Sequence, residues 1–349
     1  MKILDRYIAR QYATNILWLY VILFAFVVTI DVALNLDWFW RMAGEKEAPP
    51  GEVGVVRQFV MTVLLIADFW WPKLLSLFNT LLGLVLTGAM GFTCVQMVRH
   101  RELVAVLASG QSLRRVAAPI LAVALGLTLI AGLNQELVLP QIAPLLAREH
   151  NQAGERTAGL SNVSMIRDAN DRLLYARLFD PNTETLHNFE LIERDEKGLA
   201  TRRTFGEHAS WDQPVRFETD LDPVALVVRQ YASYSQSLSW GQLGQLLRQT
   251  GEGEGHVHDR LQRTRFGRVS IALTNLVSLV LVMPFFLVRV PGNMLQQALR
   301  GAPVAMIALI GGTVGATAPI AGVSPVISVF IPVLVLLPLA VAVTLSPRT

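Results

Sequence analysis

Long runs of residues without a charged side chain alternate with short polar segments along most of the chain. There are six such runs, at 13–30, 74–98, 116–135, 269–288, 302–322 and 323–346. Each approaches or exceeds the roughly 18–20 apolar residues that a helix needs to cross the hydrocarbon core of a bilayer. One run alone would also suit a buried helix of a soluble protein. Six, each bounded by basic, proline or polar residues, predict a polytopic α-helical membrane protein with six transmembrane helices.

Between about 160 and 230 the period of the pattern changes from that of helices to that of strands. The segment LHNFELIERD alternates apolar and polar residues, which is typical of a half-buried strand. Stretches rich in turn formers, such as FDPNTET and RDEKG, separate this segment from its neighbours. We therefore predict an inserted all-β domain of the sandwich or jelly-roll type, with three membrane helices before it and three after it.

Helical spacing returns in SLSWGQLGQLLRQ, at 237–249, where four leucines lie along one side and Ser237 or Ser239 is a candidate N-cap. The stretch GEGEGHVHD, at 251–259, is predicted to be a flexible joint. Its two histidines and one aspartate also suggest a metal site, but their spacing is generic and the glycines oppose a rigid cage. The predicted organisation is transmembrane helices 1–3 at 1–139, the β domain at 140–236, a helix and linker at 237–265, and transmembrane helices 4–6 at 266–349.

Basic residues are concentrated in four short segments: the N-terminus, 99–115, 289–301 and the C-terminus. Short loops rich in Arg and Lys stay on the cytoplasmic side of a membrane. Six crossings from a cytoplasmic start place all four segments inside, and place 37–58 and the β domain outside. The first run is longer than the core of an ordinary signal peptide and precedes no small-residue cleavage pattern, so we expect an uncleaved first helix.

One basic segment resists this topology, because the arginines of 256–268 fall outside, next to the fourth span. Anionic lipid headgroups would explain such a cluster. Ordinary anchoring, or indifference of the insertion machinery to charge after a long domain, would explain it equally well. Lys73 and Glu136 both fall near the predicted outer boundary, where the two side chains can pair.

The sequence offers little chemistry for catalysis. It contains no GxxxxGK[ST] phosphate loop, no HExxH, no CxxC and no GxSxG, and Cys94 is its single cysteine. We therefore predict neither a metal site nor a cofactor. Small residues four apart, Gly83, Thr87 and Gly91 in the second span and Gly311 and Gly315 in the fifth, predict close helix packing within the chain or at a subunit interface.

The segment RHRELVAVLASGQSLRR, at 99–115, separates the second span from the third and has the spacing of a short helix over about 100–110. Leu103, Val106 and Leu107 share one face of that helix. Gly110 is a plausible C-terminal stop, and Ser112 is a candidate cap for the following helix. Glu102 lies in the first turn, where the helix dipole favours a carboxylate.

Several motifs occur in a fixed order: ILDRYIARQ at 3–11, RELVAVLASG at 101–110, NQELVLPQ at 134–141, the strand-like LLYARLFDPNTETLHNFELIERDEKG, and SLSWGQLGQLLRQ. None is as specific as a catalytic signature, but their order and spacing extend over nearly the whole chain. In this respect the chain resembles the LptF/LptG-type permease family, the membrane subunits of the lipopolysaccharide export ABC transporter.

This resemblance implies a permease subunit that is not an enzyme and binds no nucleic acid. The expected partners are a cytoplasmic LptB-like ATPase, a second LptF/LptG-type permease and LptC/LptA-like periplasmic jelly-roll proteins. The expected substrate is lipopolysaccharide, or a related anionic glycolipid, taken from the outer leaflet of the bacterial inner membrane. The LptF part, the LptG part and a homodimer all stay open. A non-transporting, membrane-anchored scaffold whose jelly roll assembles envelope proteins is the alternative, although six spans exceed what an anchor requires.

The resemblance also assigns candidate sites. The helix at 100–110 corresponds to a coupling helix that docks on the ATPase, with Arg101, Glu102, Leu103, Val106, Leu107 and Gly110 as the coupling residues. Glu102 is then an acidic contact to the ATPase, or else it only caps its helix or offsets Arg99 and Arg101. The family's basic lipid contacts at the outer part of the first span have no clear match here. The candidates to replace them are Arg41, Lys73, Arg263, Arg265 and Arg268.

Overall fold

A computed structural model describes residues 3–45, 55–146, 161–167, 172–180, 185–194, 200–210, 234–249, 255–287, 294–320 and 322–345. The chain divides into two compact units. The first comprises Met1–Ile30, Ser76–Asn134 and Gln262–Thr349, and the second comprises Asp31–Leu75 and Gln135–Leu261.

The helices are α1 (Ile3–Glu45), α2 (Val55–Arg99), α3 (Glu102–Ala108), α4 (Leu113–Leu133), α5 (Ala143–Leu146), α6 (Tyr234–Ser237), α7 (Trp240–Gln249), α8 (Gly255–Phe286), α9 (Met294–Thr317) and α10 (Pro325–Leu345). A π-helical turn, Asn134–Val138, continues α4. The strands are β1 (Ser161–Arg167), β2 (Leu173–Asp180), β3 (Thr185–Arg194) and β4 (Ala200–Ser210).

Six helices of the described chain are long and apolar enough to cross a membrane, as predicted. The corresponding stretches are Ile3–Gly44, Val55–Arg99, Leu113–Val138, His258–Phe286, Gln296–Thr317 and Pro325–Thr344. Two of them exceed the predicted runs by far, since α1 has 43 residues and α2 has 45. At about 1.5 Å per residue, each is roughly 65 Å long, about twice the thickness of a hydrocarbon core. The aromatic stretch ADFWWPK, at 67–73, is therefore part of α2, with Pro72 inside the helix.

The core of the first unit lies between α1, α2, α4 and α8. Every fourth residue of α1 from Ile8 to Tyr20 is buried and packs on it, a spacing that places all four side chains on one helix face. Their main partners come from α2 and α8: Val85, Leu86, Ala89, Met90, Leu279 and Val282. The membrane helices are thus held together by a continuous apolar cluster.

Small residues bring the helices of this unit close together, although not all those that the spacing predicted. A side-chain carbon at Gly83 would overlap the Asn275 side chain, and one at Gly315 would lie 2.5 Å from the Pro332 ring. Gly311 has no described heavy atom within 4 Å of such a carbon, whereas its neighbour Gly312 is closed by Thr274. The GxxxG pair predicted for α9 is therefore half right, since only Gly315 makes a close contact.

The described strands of the second unit form one antiparallel sheet in the order β1-β2-β3-β4. Each strand pairs with the next in sequence, so successive strands are joined as hairpins. The apolar cluster of the sheet consists of Leu174, Ala176, Phe179, Leu186, Phe189 and Leu191. This confirms the inserted β domain. The apolar, β-branched segment PVALVVRQY, at 223–231, also has the composition of a strand, but it lies outside the described residues.

The predicted helix at 237–249 is found as α7, and Ser239 is its cap. The Gln242 amide donates to Ser239 Oγ at 3.2 Å, and the Ser239 amide donates to Gln242 Oε1 at 2.8 Å, which together make a reciprocal capping box. Four leucines of α7 and its start, at 238, 243, 246 and 247, pack together with Leu261 as the helical spacing predicted. The Trp240 amide donates to Glu136 Oε2 at 2.7 Å.

The flexible joint predicted at 251–259 is wrong for its second half. Residues 255–259 are the first residues of α8, which runs without interruption to Phe286. Residues 251–254 lie outside the described chain. The glycines that suggested a joint end where the membrane-spanning helix begins, so the arginines of 260–268 lie on a helix rather than in a linker.

Candidate functional site

The segment between α2 and α4 folds as a short helix with defined ends. After α2 the chain turns at Arg101, whose backbone is left-handed with a φ of 58°, and α3 follows with seven residues. The amide of Gly110 donates to the Leu107 carbonyl at 3.0 Å and the amide of Gln111 donates to the Val106 carbonyl at 3.4 Å. With a φ of 77° at Gly110, these two bonds form a Schellman motif, which confirms the predicted stop. Ser112 occupies the N-cap position of α4, but its side chain makes no capping hydrogen bond.

The apolar face of α3 points at the protein's own core. Leu103 is 1% exposed, and Val106 and Leu107 pack against the same cluster as the buried face of α1. The exposed face of the helix consists of Arg101, Val104, Ala105 and Ala108. The sequence predicted coupling residues without distinguishing these faces. Direct contact with another protein suits the exposed face, because an almost fully buried leucine cannot reach a partner.

Glu102 is half-buried and makes a contact that the sequence did not suggest. The Tyr7 hydroxyl, on the first turns of α1, donates to Glu102 Oε1 at 2.8 Å. Glu102 Oε2 is buried and accepts no hydrogen bond from the described residues. The carboxylate therefore joins α3 to α1, in addition to lying in the first turn of its own helix.

Two further polar side chains of α1 continue this contact along α2. Gln11 Nε2 donates to Gln96 Oε1 at 3.2 Å. Asn15 Nδ2 donates to the same oxygen at 3.0 Å and to Thr93 Oγ1 at 2.9 Å. These residues were missed in the sequence, although a signal was present: polar side chains recur every four residues, at 7, 11 and 15, at the start of an apolar helix.

The basic residues proposed for lipid contact fall in both compact units. In the second unit, Arg41 is exposed and its Nε donates to the Asp37 carbonyl at 3.3 Å. Lys73 Nζ lies 3.4 Å from the centroid of the Phe69 ring, within cation–π distance. In the same unit, Asp31 Oδ2 accepts a hydrogen bond from the Trp70 indole at 3.1 Å.

In the first unit, the arginines of α8 are half-buried rather than fully exposed. Arg263 donates to the Ala318 carbonyl at 2.7 Å, just beyond the C-terminus of α9, and to Ser328 Oγ of α10 at 3.3 Å. The negative end of the α9 dipole also stabilises a guanidinium at this position. Arg265 lies with its guanidinium carbon 5.9 Å from the Phe266 ring. Of the three predicted lipid contacts on α8, Arg263 thus has a structural role inside the chain.

Among the described residues, no group of three or more His, Cys, Asp or Glu side chains is placed to hold a metal ion. Cys94, the single cysteine, is buried in α2. The described polar side chains at this site make contacts between helices of the same chain.

Comparison with known proteins agrees with this picture. The family described as "Lipopolysaccharide export system permease LptF/LptG" matches residues 60–222. This match confirms the resemblance of the chain to LptF/LptG-type permeases. The matched residues, slightly less than half of the chain, include most of α2, all of α3 and α4, and the four strands. No curated protein matches the chain.

The LptF/LptG match and the six apolar helices together support a multi-pass inner-membrane protein that is similar to permeases of lipopolysaccharide export. A permease of this kind is a transporter subunit rather than an enzyme. The matched region places α3 and the sheet in the part of the chain for which the likeness to LptF/LptG-type permeases is established.

Proposed function

We propose that this chain is the permease subunit of an ABC transporter that extracts lipopolysaccharide, or a related anionic glycolipid, from the outer leaflet of the inner membrane. It passes the lipid to a periplasmic bridge of jelly-roll proteins, and a separate cytoplasmic partner chain hydrolyses ATP. The observation that carries this proposal is the LptF/LptG match, which covers both α3 and the sheet. In this topology both termini and α3 are cytoplasmic, and the sheet is periplasmic.

The ATPase docks on the exposed face of α3 in this proposal. Arg101, Val104, Ala105 and Ala108 make the contact, and two alanines among them leave room for a helix to enter a groove. Leu103, Val106 and Leu107 couple indirectly, because they fix α3 to the core of the membrane helices. Gly110 contributes by ending the helix, which keeps the docking element short.

The lipid contacts are proposed for four of the five basic candidates. These are Arg41 and Lys73 in one unit, and Arg265 and Arg268 in the other. The Lys73 ammonium lies against aromatic rings, a typical arrangement for a cation near a membrane interface. Lipid contact by Arg263 stays a prediction; its guanidinium also bridges α8 to the ends of α9 and α10.

The second permease chain of the complex is proposed to pack near the apolar surface of α1. Large side chains on one side of this helix are exposed in the single chain: Leu17, Trp18, Val21, Ile22, Phe26 and Ile30. Lipid tails cover such a surface as well as a protein does, since neither exposes polar groups to the helix. We propose that the exposed apolar side of α1 also lines the cavity between the two permease chains, which the lipid enters sideways from the membrane.

The proposal is tested by changing the exposed face of α3. We expect Ala105→Arg to abolish copurification of the ATPase, because a long charged side chain cannot enter a groove that accepts alanine. In proteoliposomes, the same variant should lose ATP-dependent release of lipopolysaccharide to a soluble jelly-roll acceptor. The measurements are the amount of ATPase recovered with the tagged chain and the amount of lipid released per minute.

Arg300→Glu is the matched control for this experiment. Arg300 is exposed in α9, in the other cytoplasmic segment of the proposed topology, and is not part of α3. We expect this charge reversal to leave ATPase recovery and lipid release close to those of the unmodified chain. Equal recovery of the ATPase with Ala105→Arg would contradict the docking face. A chain that binds envelope proteins but releases no lipid would instead support the scaffold.

A further inference from the structure

Three polar side chains of α1 form a ladder of hydrogen bonds that starts at α3 and continues along α2. We define the α1 ladder as Tyr7, Gln11 and Asn15 with their partners Glu102, Gln96 and Thr93. All four hydrogen bonds are between side chains, and their lengths are 2.8, 3.2, 3.0 and 2.9 Å. The ladder occupies two turns of α1, because its members are four residues apart.

The ladder runs beside an apolar stripe that serves a different purpose. Ile8, Tyr12 and Ile16 are buried and lie one residue along from the three ladder positions. Apolar packing resists the separation of two helices but depends weakly on the exact register between them. Hydrogen bonds between side chains are directional, so sliding α1 past α2 would break the three bonds that join these two helices.

Glu102 connects the ladder to α3. Glu102 is the first residue of α3, and its Oε1 is the point at which the ladder reaches this helix. On the opposite side, α3 connects to α4 through a short segment, residues 109–112, which contains the Gly110 turn. A displacement of α3 therefore acts on α1 through a short and directional contact, and on α2 and α4 through the backbone.

We propose that the α1 ladder is the link by which α3 moves the first membrane helix, and that Tyr7 is a positioning residue for coupling ATP hydrolysis to lipid extraction. This inference rests on the proposed function, since it takes α3 as the docking element of an ATPase. Tyr7 acts through Glu102 and need not touch either the ATPase or the lipid. If the ladder is broken, ATP hydrolysis continues, but less lipid is extracted for each ATP hydrolysed.

The experiment measures this proportion in the assembled complex. Tyr7→Phe removes one hydroxyl and keeps the ring, so α3 retains its docking face. We expect copurification of the ATPase and the rate of ATP hydrolysis to stay within about twofold of the unmodified complex. We expect the lipopolysaccharide released per ATP hydrolysed, measured in proteoliposomes, to fall at least fivefold. Gln96→Leu, which removes the shared acceptor of Gln11 and Asn15, should lower the same ratio.

Tyr12→Phe is the matched control. It also removes one hydroxyl hydrogen bond of α1, from Tyr12 to the Leu86 carbonyl at 2.9 Å, but that bond has no connection to α3. We expect its ratio of lipid to ATP to equal that of the unmodified complex. If the hydroxyls had a purely structural role, the ratio of lipid to ATP would fall equally in Tyr7→Phe and Tyr12→Phe. That result would overturn the proposal.

Glu102→Gln distinguishes the ladder from a charged contact with the ATPase. The amide oxygen of glutamine still accepts from the Tyr7 hydroxyl, so we expect the ratio of lipid to ATP to be preserved. Preserved release per ATP in Tyr7→Phe and Gln96→Leu would overturn the inference while leaving the proposed function intact. Failure of the proposed function is a separate result, in which the unmodified chain binds no ATPase or releases no lipid.

Discussion

The first two membrane helices, α1 and α2, are alike in length and apolar composition but differ in what surrounds them. Within the most apolar 18-residue stretch of each helix, 11% of the residues are buried in α1 and 61% in α2. Sequence hydropathy cannot make this distinction, because a lipid tail and a neighbouring helix are both apolar. The two helices are equally able to enter a bilayer, and only one of them is surrounded by the rest of its own chain.

Side-chain size contributes to this difference. Along α2, Gly83 and Gly91 sit against the side chains of Asn275 and Phe286, so α8 approaches the backbone closely. Along α1, Trp18 and Phe26 are 61% and 62% exposed and point away from the core. At Gly83 and Gly91 the absence of a side chain thus lets α8 cover α2, whereas the exposed large side chains of α1 are left for lipid or a partner.

The largest expected effect is that of filling the contact at Gly83. Gly83→Leu places atoms where the Asn275 side chain lies and within 2.9 Å of Leu309 Cδ2. We expect it to destabilise the folded chain by about 3 kcal/mol or more, since overpacking forces neighbouring helices to move. The measurement is the unfolding temperature of the purified chain in detergent. Size-exclusion chromatography after heating gives the fraction of chain that remains folded at each temperature.

The control for that substitution is Gly126→Leu in α4, where a side-chain carbon would have no described heavy atom within 4 Å. We expect its unfolding temperature to match that of the unmodified chain. If both leucine variants unfold at the same lowered temperature, the close contact at Gly83 does not set the size of the effect, and the comparison of α1 with α2 fails.

Removing the Arg263 bridge should have the next largest effect. Arg263→Ala leaves the Ala318 carbonyl and Ser328 Oγ without the guanidinium that joins them to α8. Hydrogen bonds to a charged group contribute about 1.5–3 kcal/mol, so we expect a loss of about 2–3 kcal/mol of stability. This extends the comparison to α8, a buried helix held by a cation as well as by small residues.

Denaturant titration in mixed micelles measures this loss, with Arg300→Ala as the matched arginine deletion. Arg300 is exposed, and we expect its removal to change stability by less than about 0.5 kcal/mol. An Arg263→Ala chain as stable as the Arg300→Ala chain would contradict the structural role and favour Arg263 as a lipid contact.

A smaller effect is expected on the buried side of α1. Tyr12→Phe removes the hydroxyl that donates to the Leu86 carbonyl at 2.9 Å and leaves the ring in the core. The expected loss is about 1 kcal/mol, the typical net contribution of one neutral hydrogen bond. A midpoint shift in the same denaturant titration checks it, and no shift at all would mean that this hydrogen bond adds nothing to the stability of the folded chain.

The smallest effect is expected on the exposed side of the same helix. Ile22 is 60% exposed, so Ile22→Ala should change the stability of the isolated chain by less than about 0.5 kcal/mol. Ile16, 4% exposed, is its matched partner, and Ile16→Ala should cost about 2 kcal/mol or more. Ile22→Ala could leave the stability of the isolated chain unchanged and yet reduce the amount of the second permease recovered in a pull-down. In that case the exposed face is a protein interface rather than a lipid surface.

Much of the fold was predictable because its elements are written in local patterns. The six charge-free runs, the inserted strands and the leucines of α7 each follow from the period of one helix or strand. The Gly110 stop was predictable for the same reason, since its left-handed backbone is a property of a single residue. The joint at 251–259 was predicted incorrectly over its second half. The prediction relied on the glycines of this stretch, whereas residues 255–259 are the first residues of the long helix α8.

Less of the candidate site was predictable, because its contacts join distant parts of the chain. Glu102 was recognised as important, but its acceptance of the Tyr7 hydroxyl spans 95 residues of sequence. The Arg263 cluster suggested lipid headgroups on charge alone, whereas its partners lie 55 and 65 residues away, at the ends of α9 and α10. Such partners depend on which helices pack together, and no local pattern carries that information.

The sequence by itself determined that this is a membrane protein with six helices, a β insert and a short helix between the second and third spans. Hydropathy, strand alternation and glycine backbone preference are properties of each segment, so they need no knowledge of its neighbours. The tertiary structure alone decided which face of α3 is exposed, which side of α1 is left uncovered and where Glu102 and Arg263 bond. These outcomes depend on the packing of whole helices, because an apolar or charged side chain has the same composition whether its partner is lipid, water or another helix.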